Sequence, residues 1–135
     1  MQITRLTGLT LLGAATGCGS ILGPIHAIDV AATQRVVARG DPIGFEVTNT
    51  GRVTVTLGAC PTALVTPGEP SRYIPVEGAC PATLYTLNPD ASLTITAPPQ
   101  AVEPGEYRAL VHYRAGTDAG EQREALSATF RVVAD

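Results

Sequence analysis

The sequence predicts an all-β protein, built as an antiparallel β-sandwich, and two observations carry this prediction. Apolar and polar residues alternate through residues 43–48 and again through residues 52–57, with Asn-Thr-Gly between the two runs. Side chains on a strand point alternately to opposite faces, so each run has one apolar face that a second layer must cover. The 14 glycines and 11 prolines fall in clusters between apolar runs, which is typical of a chain with many turns.

The composition indicates one globular domain without a nucleic-acid partner. The 135 residues are 44% hydrophobic and 16% charged, which is typical of a globular rather than a disordered chain. Only 4% are aromatic, so valine, leucine, isoleucine and alanine must fill the core. The net charge of −3 comes without a basic cluster, and binding to a phosphate backbone therefore has no electrostatic basis.

The N-terminal segment 1–17 is typical of an export signal. It has one positive charge, at Arg5, no acidic residue, and an apolar run too short to span a bilayer as a helix. Residues 15–18, Ala-Thr-Gly-Cys, resemble a bacterial lipobox, in which small residues precede a cysteine that is acylated and becomes the first residue of the mature protein.

The resemblance to a lipobox implies that Cys18 carries a lipid anchor, because several acyl chains together hold a protein stably on a membrane. Residues 18–24 would then form a short linker and residues 25–135 the folded domain. A secretory signal cleaved after Ala27 is the alternative, and it would discard Cys18. Under both interpretations the protein is exported.

The predicted strands follow the alternation along the chain. Pro75 lacks an amide donor, which confines its strand to the edge of a sheet. The last strand is predicted to be continuous, with Leu126, Phe130 and Val132 on the same side. Strands are expected at residues 25–30, 43–48, 52–57, 62–66, 72–76, 84–87, 92–97, 107–113 and 124–133, with a turn at 39–42 after the apolar residues 36–38.

Cys60 and Cys80 lie in near-identical heptapeptides, Gly-Ala-Cys-Pro-Thr-Ala-Leu and Gly-Ala-Cys-Pro-Ala-Thr-Leu. In an exported protein such a pair predicts a disulfide, and closing a loop of about 20 residues stabilises the fold by about 3 kcal/mol. A metal or haem site that uses the thiolates with His26 and His112 is the alternative. No metal-binding spacing supports it, both histidines are expected at the surface, and no metal or cofactor is predicted.

Residues 104–107, Pro-Gly-Glu-Tyr, open a late strand and resemble the tyrosine corner of immunoglobulin-like and fibronectin-type domains. Together with Gly-Asp-Pro before residue 43 and Cys-Pro after residue 57, they make residues 41–113 similar to bacterial immunoglobulin-like domains of envelope lipoproteins. The outline is also similar to the bacterial intracellular proteinase inhibitor family.

This resemblance implies an immunoglobulin-like antiparallel β-sandwich of seven to eight strands with one disulfide. Gly105 and Tyr107 would be structural residues, with the Tyr107 hydroxyl bonded to the backbone of the preceding corner. The alternation is compatible with a hairpin within one sheet or an arch between two sheets after residue 48. An immunoglobulin-like fold implies the arch.

No catalytic residue is predicted. No serine lies in a Gly-x-Ser-x-Gly turn, and neither histidine has a carboxylate nearby in the sequence. The acidic positions of the polar loop 115–123 lack the spacing of a calcium site. The loop is instead the first candidate for binding a partner, and residues 61–79 are the second. The candidate binding residues are Thr117, Asp118, Glu121, Gln122 and Arg123.

The expected function is that of an exported, lipid-anchored, non-enzymatic module. Its expected partner is another envelope or extracellular protein, or it supports an envelope structure. A proteinase inhibitor that presents an exposed loop is one alternative, and an envelope hydrolase is a second. The oligomeric state does not follow from the sequence.

Overall fold

The computed structural model describes residues 23–116 and 120–135, and these residues contain eleven strands. The predicted signal segment, Cys18, Thr117 and Asp118 lie outside the described residues. Within those ranges no helix is long and apolar enough to cross a membrane. The strands are β1 (Ile28–Ala32), β2 (Val36–Ala38), β3 (Ile43–Asn49), β4 (Val55–Gly58), β5 (Ala63–Val65), β6 (Tyr73–Pro75), β7 (Leu84–Leu87), β8 (Ser92–Ala97), β9 (Gly105–Ala115), β10 (Gln122–Leu126) and β11 (Phe130–Val133).

The strands form the two sheets of an immunoglobulin-like β-sandwich, as predicted. The smaller sheet has the order β1-β3-β8. The larger sheet is built around the long strand β9, with β4 and β5 along one side of it and β10 and β11 along the other. β7 pairs with β4, β6 pairs with β5, and β2 adds parallel to β11. Every other strand pair is antiparallel.

The strand count exceeds the predicted seven to eight because three strands are each broken in two. The chain switches from the smaller to the larger sheet between β1 and β2. β4 and β5 follow the same side of β9 in succession, and β10 and β11 follow the other side. Eleven segments less these three breaks leave eight strands.

The break between β10 and β11 is a β-bulge at Ser127. Leu126 pairs with Leu110 and Phe130 pairs with Tyr107, so three residues on one strand oppose two on β9. The Ser127 amide donates to the Ala109 carbonyl, and the Ser127 hydroxyl accepts a hydrogen bond of 2.8 Å from the Ala109 amide. The side chain thereby takes the place of a ladder carbonyl.

This bulge makes the prediction of one continuous strand over residues 124–133 wrong. An extra residue reverses the alternation, so Leu126 points outward while Phe130 and Val132 pack in the core. The neighbouring Ala128 amide donates to the Val30 carbonyl of β1, at 3.3 Å, and joins the two sheets at this edge.

The core between the sheets consists of aliphatic side chains and four aromatic rings. Phe45 of the smaller sheet meets Phe130 of the larger sheet edge to face, with ring centroids 5.5 Å apart. The residues of the core cluster are Val30, Val37, Ile43, Phe45, Val47, Val55, Leu57, Leu64, Leu87, Ile95, Ala97, Val102, Tyr107, Ala109, Val111, Tyr113, Phe130 and Val132.

The connection between β3 and β4 is an arch between the sheets, as the immunoglobulin-like resemblance implied. Asn49, the last residue of β3, is fully buried there. Its Nδ2 donates to the carbonyls of Val53 at 2.8 Å and Leu87 at 2.9 Å, and its Oδ1 accepts from the Gly51 amide at 2.9 Å. One side chain therefore satisfies the backbone of the arch and ties it to β7 of the other sheet.

The start of the domain packs against this arch. The amides of Thr50 and Gly51 donate to the Ala27 carbonyl, and the Arg52 amide donates to the Ile25 carbonyl. A Cβ on Gly51 would lie 2.6 Å from the Ile25 oxygen, so this close approach requires glycine. Because residues 25–27 bond to the arch, β1 begins at Ile28 and not at residue 25 as predicted.

The predicted disulfide between Cys60 and Cys80 is confirmed. The two Cα atoms are 6.1 Å apart. Cys60 lies in the break between β4 and β5, and Cys80 lies in the segment between β6 and β7. The bond therefore ties the β5–β6 hairpin to the strands on either side of it.

We expect Asn49→Ala to lower the free energy of unfolding by about 2–4 kcal/mol, because it leaves two carbonyls and one amide without their partner. Urea denaturation of the purified protein measures the change. Asn88→Ala is the matched control: this exposed amide at the same end only accepts a hydrogen bond from Thr54, and its loss should cost under about 0.5 kcal/mol. Equal midpoints for the native protein and Asn49→Ala would contradict the role given to Asn49.

Candidate interaction surface on the larger sheet

One face of the larger sheet points away from the core, and we call it the outer face. Alternate residues of β9 face the core, and the residues between them face outward with their cross-strand partners. The outward positions are Arg108, Leu110, His112 and Arg114 of β9, Gln122, Glu124 and Leu126 of β10, Ala63 and Val65 of β5, Tyr73 and Pro75 of β6, Thr56 and Gly58 of β4, and Leu84 and Thr86 of β7.

The middle of the outer face is apolar. Val65, Tyr73, Leu110 and Leu126 line a shallow depression of about 470 Å³ with Glu124 at its border, and we call these four residues the Leu110 patch. Leu110 itself is only 6% exposed, but Tyr73 and Leu126 are 54% and 48% exposed. Large apolar side chains gathered on one surface mark a place where another surface can be covered.

Beside the patch, His112 bridges a hydroxyl and a carboxylate. Its Nδ1 lies 2.9 Å from the Thr62 hydroxyl, and its Nε2 lies 3.0 Å from Glu124 Oε1. Cross-strand register places Glu124 directly opposite His112. Glu124 is 12 residues from His112 in the chain, so a search for carboxylates adjacent in the sequence does not find it.

A hydroxyl, an imidazole and a carboxylate in a row are the groups of a nucleophilic centre. The hydrolase alternative therefore requires that a substrate pocket be lined by these groups. His112 lines one depression, but Thr62 and Glu124 do not line it. Glu124 borders the separate depression over the Leu110 patch. Neither of these two depressions is lined by all three side chains, and together the three side chains link the segment before β5 to β9 and β10.

The depression beside His112 is a trough along β4, which we call the Gly58 trough, with a volume of about 260 Å³. Gly58 has no side chain to fill it, and a Cβ built there meets nothing within 4 Å. Leu84, which is 69% exposed, forms one wall, and His112 and Arg114 form the other. The Arg114 guanidinium donates to the Gly120 carbonyl at 3.0 Å and to Gln122 Oε1 at 3.3 Å.

Both segments that were predicted to bind a partner, 115–123 and 61–79, border the outer face. β9 extends to Ala115 and β10 begins at Gln122, so the loop is shorter than the predicted 115–123. Gln122 lines the Gly58 trough, Glu121 is exposed beside it, and Arg123 pairs with Tyr113 and belongs to β10. Segment 61–79 supplies β5 and β6, and therefore half of the Leu110 patch.

The two predicted structural residues lie at the opposite end of β9. Gly105 begins the strand, and the Tyr107 hydroxyl donates a hydrogen bond to the Glu103 carbonyl, which is the contact that the tyrosine-corner resemblance implied. The Tyr107 ring packs in the core against Phe130, with centroids 6.4 Å apart. Burial raises the pKa of the Tyr107 phenol above its ordinary value of 10.0, and the nearby Arg72 opposes part of that rise.

The alternative metal or haem site has no thiolate left, since Cys60 and Cys80 are bonded to each other. Over the described ranges, no group of three or more His, Cys, Asp or Glu side chains is placed to hold a metal ion. His26 is half-buried rather than solvated as predicted, and its Nδ1 has no hydrogen-bond partner among the described residues.

Similarity to a solved structure supports the fold. A Bordetella pertussis protein described as an ApaA protein superposes with a TM-score of 0.53 at 19% sequence identity, over 80% of this chain and 94% of that chain. The ASH/PapD-like domain of human CEP192 gives a TM-score of 0.38 at 13% identity, over 100% of this chain and 98% of that domain. No protein-family model and no curated protein sequence matches the chain.

The immunoglobulin-like resemblance therefore holds at the level of the fold. The comparisons give no support to membership of a lipoprotein family or of the proteinase inhibitor family.

We expect Tyr107→Phe to lower the free energy of unfolding by about 1 kcal/mol at neutral pH, because the corner hydrogen bond is lost. The difference should stay constant from about pH 8 to about pH 9 and shrink as the pH rises above about 10. Since folding raises the pKa of this phenol, the contribution of the neutral phenol is present below the unfolded value near 10.0 and is lost as the pH passes the folded value.

Urea titrations at several pH values measure this difference, with Tyr73→Phe as the control at an exposed tyrosine. A stability gap between the native protein and Tyr107→Phe that stays constant across this pH range would be the contrary result.

Proposed function

We propose that the protein is an exported, non-catalytic immunoglobulin-like module that binds another protein of the cell envelope or exterior through its outer face. The observation that carries the proposal is the Leu110 patch, where Tyr73 and Leu126 keep about half of their side-chain surface exposed around the buried Leu110. A folded domain gains nothing by itself from leaving such groups in water, whereas a partner that covers them gains hydrophobic free energy.

The surroundings of the patch suit a protein partner. Protein interfaces combine an apolar or aromatic centre with a polar rim. Tyr73 supplies the aromatic group and Leu126 the aliphatic one. Glu124, held by His112, and Arg108, which hydrogen-bonds Thr129, supply charged groups at the border of the patch. A partner can therefore gain both buried area and oriented polar contacts there.

Export and anchoring are supported by two independent features of the chain. The Cys60–Cys80 disulfide is of the kind that forms and persists outside the cytosol. The charge and hydropathy pattern of residues 1–17, followed by Cys18, supports removal of a signal segment and acylation of that cysteine. The lipid would keep the module at a membrane surface facing its partner.

We expect a photocrosslinking amino acid at position 73 or 126 to form one covalent adduct of the same mass in the native cells, because both side chains lie on the proposed interface. The same amino acid at Val36, which is equally exposed but lies on β2, is the control and should give no adduct. Leu126→Arg should abolish the adduct formed from position 73. Adducts from position 36 alone, or from none of the three positions, would count against the outer face.

The anchor has its own test at Cys18. The protein extracted from the membrane fraction should have an intact mass that fits a chain beginning at Cys18 with added acyl groups. Cys18→Ser should lose the lipid and leave the membrane fraction, while Ser71→Ala, a change at an exposed position away from the signal segment, should remain in it. A Cys18→Ser variant that stays membrane-bound would refute the acylation.

A further inference from the structure

We infer that one end of the sandwich faces the lipid surface and that the opposite end, with the turn 66–72, points away from the membrane. This inference rests on the proposed lipid anchor at Cys18. The membrane-facing end consists of the arch 50–54, the turn 88–90 and the adjoining segment 23–27, and we call it the arch end.

Residues 25–27 are held against the arch by backbone hydrogen bonds. The Ile25 carbonyl accepts from the Arg52 amide at 3.0 Å, and the Ala27 carbonyl accepts from the Thr50 and Gly51 amides at 3.1 Å. Cys18 precedes Gly23 by five residues, which span at most about 18 Å when fully extended. An acylated Cys18 thus holds the arch end close to the headgroups.

Two other connections belong to the arch end. The Asp90 amide donates to the Asn49 carbonyl at 2.8 Å, which places the turn 88–90 beside the arch. The Gly116 amide donates to the Thr54 carbonyl at 2.8 Å, which places the beginning of the β9–β10 loop there as well. The predicted binding loop 115–123 therefore starts on the side of the anchor.

The turn 66–72 lies at the other end of the long strand β9. Val65 pairs with Arg108, and the Thr66 amide donates to the Arg72 carbonyl to close the turn beyond that pair. From Ala115 at the arch end to Arg108 is seven residues of strand, roughly 23 Å. This separation exceeds the reach of the linker, so the arch end and the turn do not meet the same headgroups in an upright domain.

This orientation places the two predicted binding segments at different distances from the membrane. Segment 61–79 carries β5, β6 and the turn 66–72 away from the membrane, together with Val65 and Tyr73 of the Leu110 patch. The loop after Ala115 and the Gly58 trough lie nearer to the headgroups. A partner in the aqueous phase therefore reaches the half of the outer face that contains the Leu110 patch.

A single tryptophan measures the orientation directly, because the sequence contains no tryptophan. Arg52→Trp places the reporter at the arch end and Arg72→Trp places it on the distant turn. Both side chains are exposed, and the hydrogen bonds at these two positions come from the backbone, so neither change removes one. Asn88→Trp and Glu69→Trp provide a second matched pair at the two ends.

The acylated proteins are reconstituted in phosphatidylcholine vesicles that contain a headgroup spin-labelled lipid, which quenches nearby tryptophan. We expect the fluorescence of Arg52→Trp and Asn88→Trp to be quenched several-fold more than that of Arg72→Trp and Glu69→Trp. Equal quenching of the two pairs, or the reverse order, in protein that floats with the vesicles overturns the orientation alone. Failure of the native protein to float with the vesicles refutes the lipid anchor and the orientation that rests on it.

Discussion

The fold depends on how the chain crosses between two sheets without leaving buried backbone groups unpaired. At the crossing from β3 to β4, Asn49 supplies two donors and one acceptor from a fully buried side chain. Ser127 has a related role beside β9: its hydroxyl accepts a hydrogen bond from the Ala109 amide, which the bulge would otherwise leave without an acceptor. Hydrophobic burial drives the sheets together, but these two polar side chains determine where the strands can bend.

The long strand β9 links this architecture to the proposed function. Its inward residues fill the core, while its outward residues run from Arg108 through Leu110 to His112 and Arg114 along the outer face. Because short strands pair with different parts of β9, and two more strands pair with these, the outer face is assembled from six strands: β4, β5, β6, β7, β9 and β10. The packing of the two sheets leaves the Leu110 patch uncovered on this face. The exposed apolar surface of this patch is what a binding partner would cover.

Local pattern predicted the strands well wherever the ladder is regular. Residues 84–87 and 92–97 form strands with the predicted bounds, and Pro75 lies on β6, which among the described strands pairs with β5 alone. The prediction was wrong at Ser127, where a side chain replaces a ladder bond, and at residues 25–27, which bond to the arch instead of extending β1. It was also wrong at residues 52–54, which belong to the arch, since β4 begins at Val55. None of these departures changes the apolar pattern of the strand itself, so periodicity cannot reveal them.

Three features follow from the residues themselves, because each depends on residue type or on residues close in the chain. They are the alternation that demands two layers, the pairing of Cys60 with Cys80, and the corner in which Tyr107 lies. Three other features appear only in the folded protein: the arch between β3 and β4, the contact between Glu124 and His112, and the position of Tyr73 and Leu126 beside Leu110. These contacts depend on the register between strands far apart in sequence, and that register is set only when both sheets pack around one core.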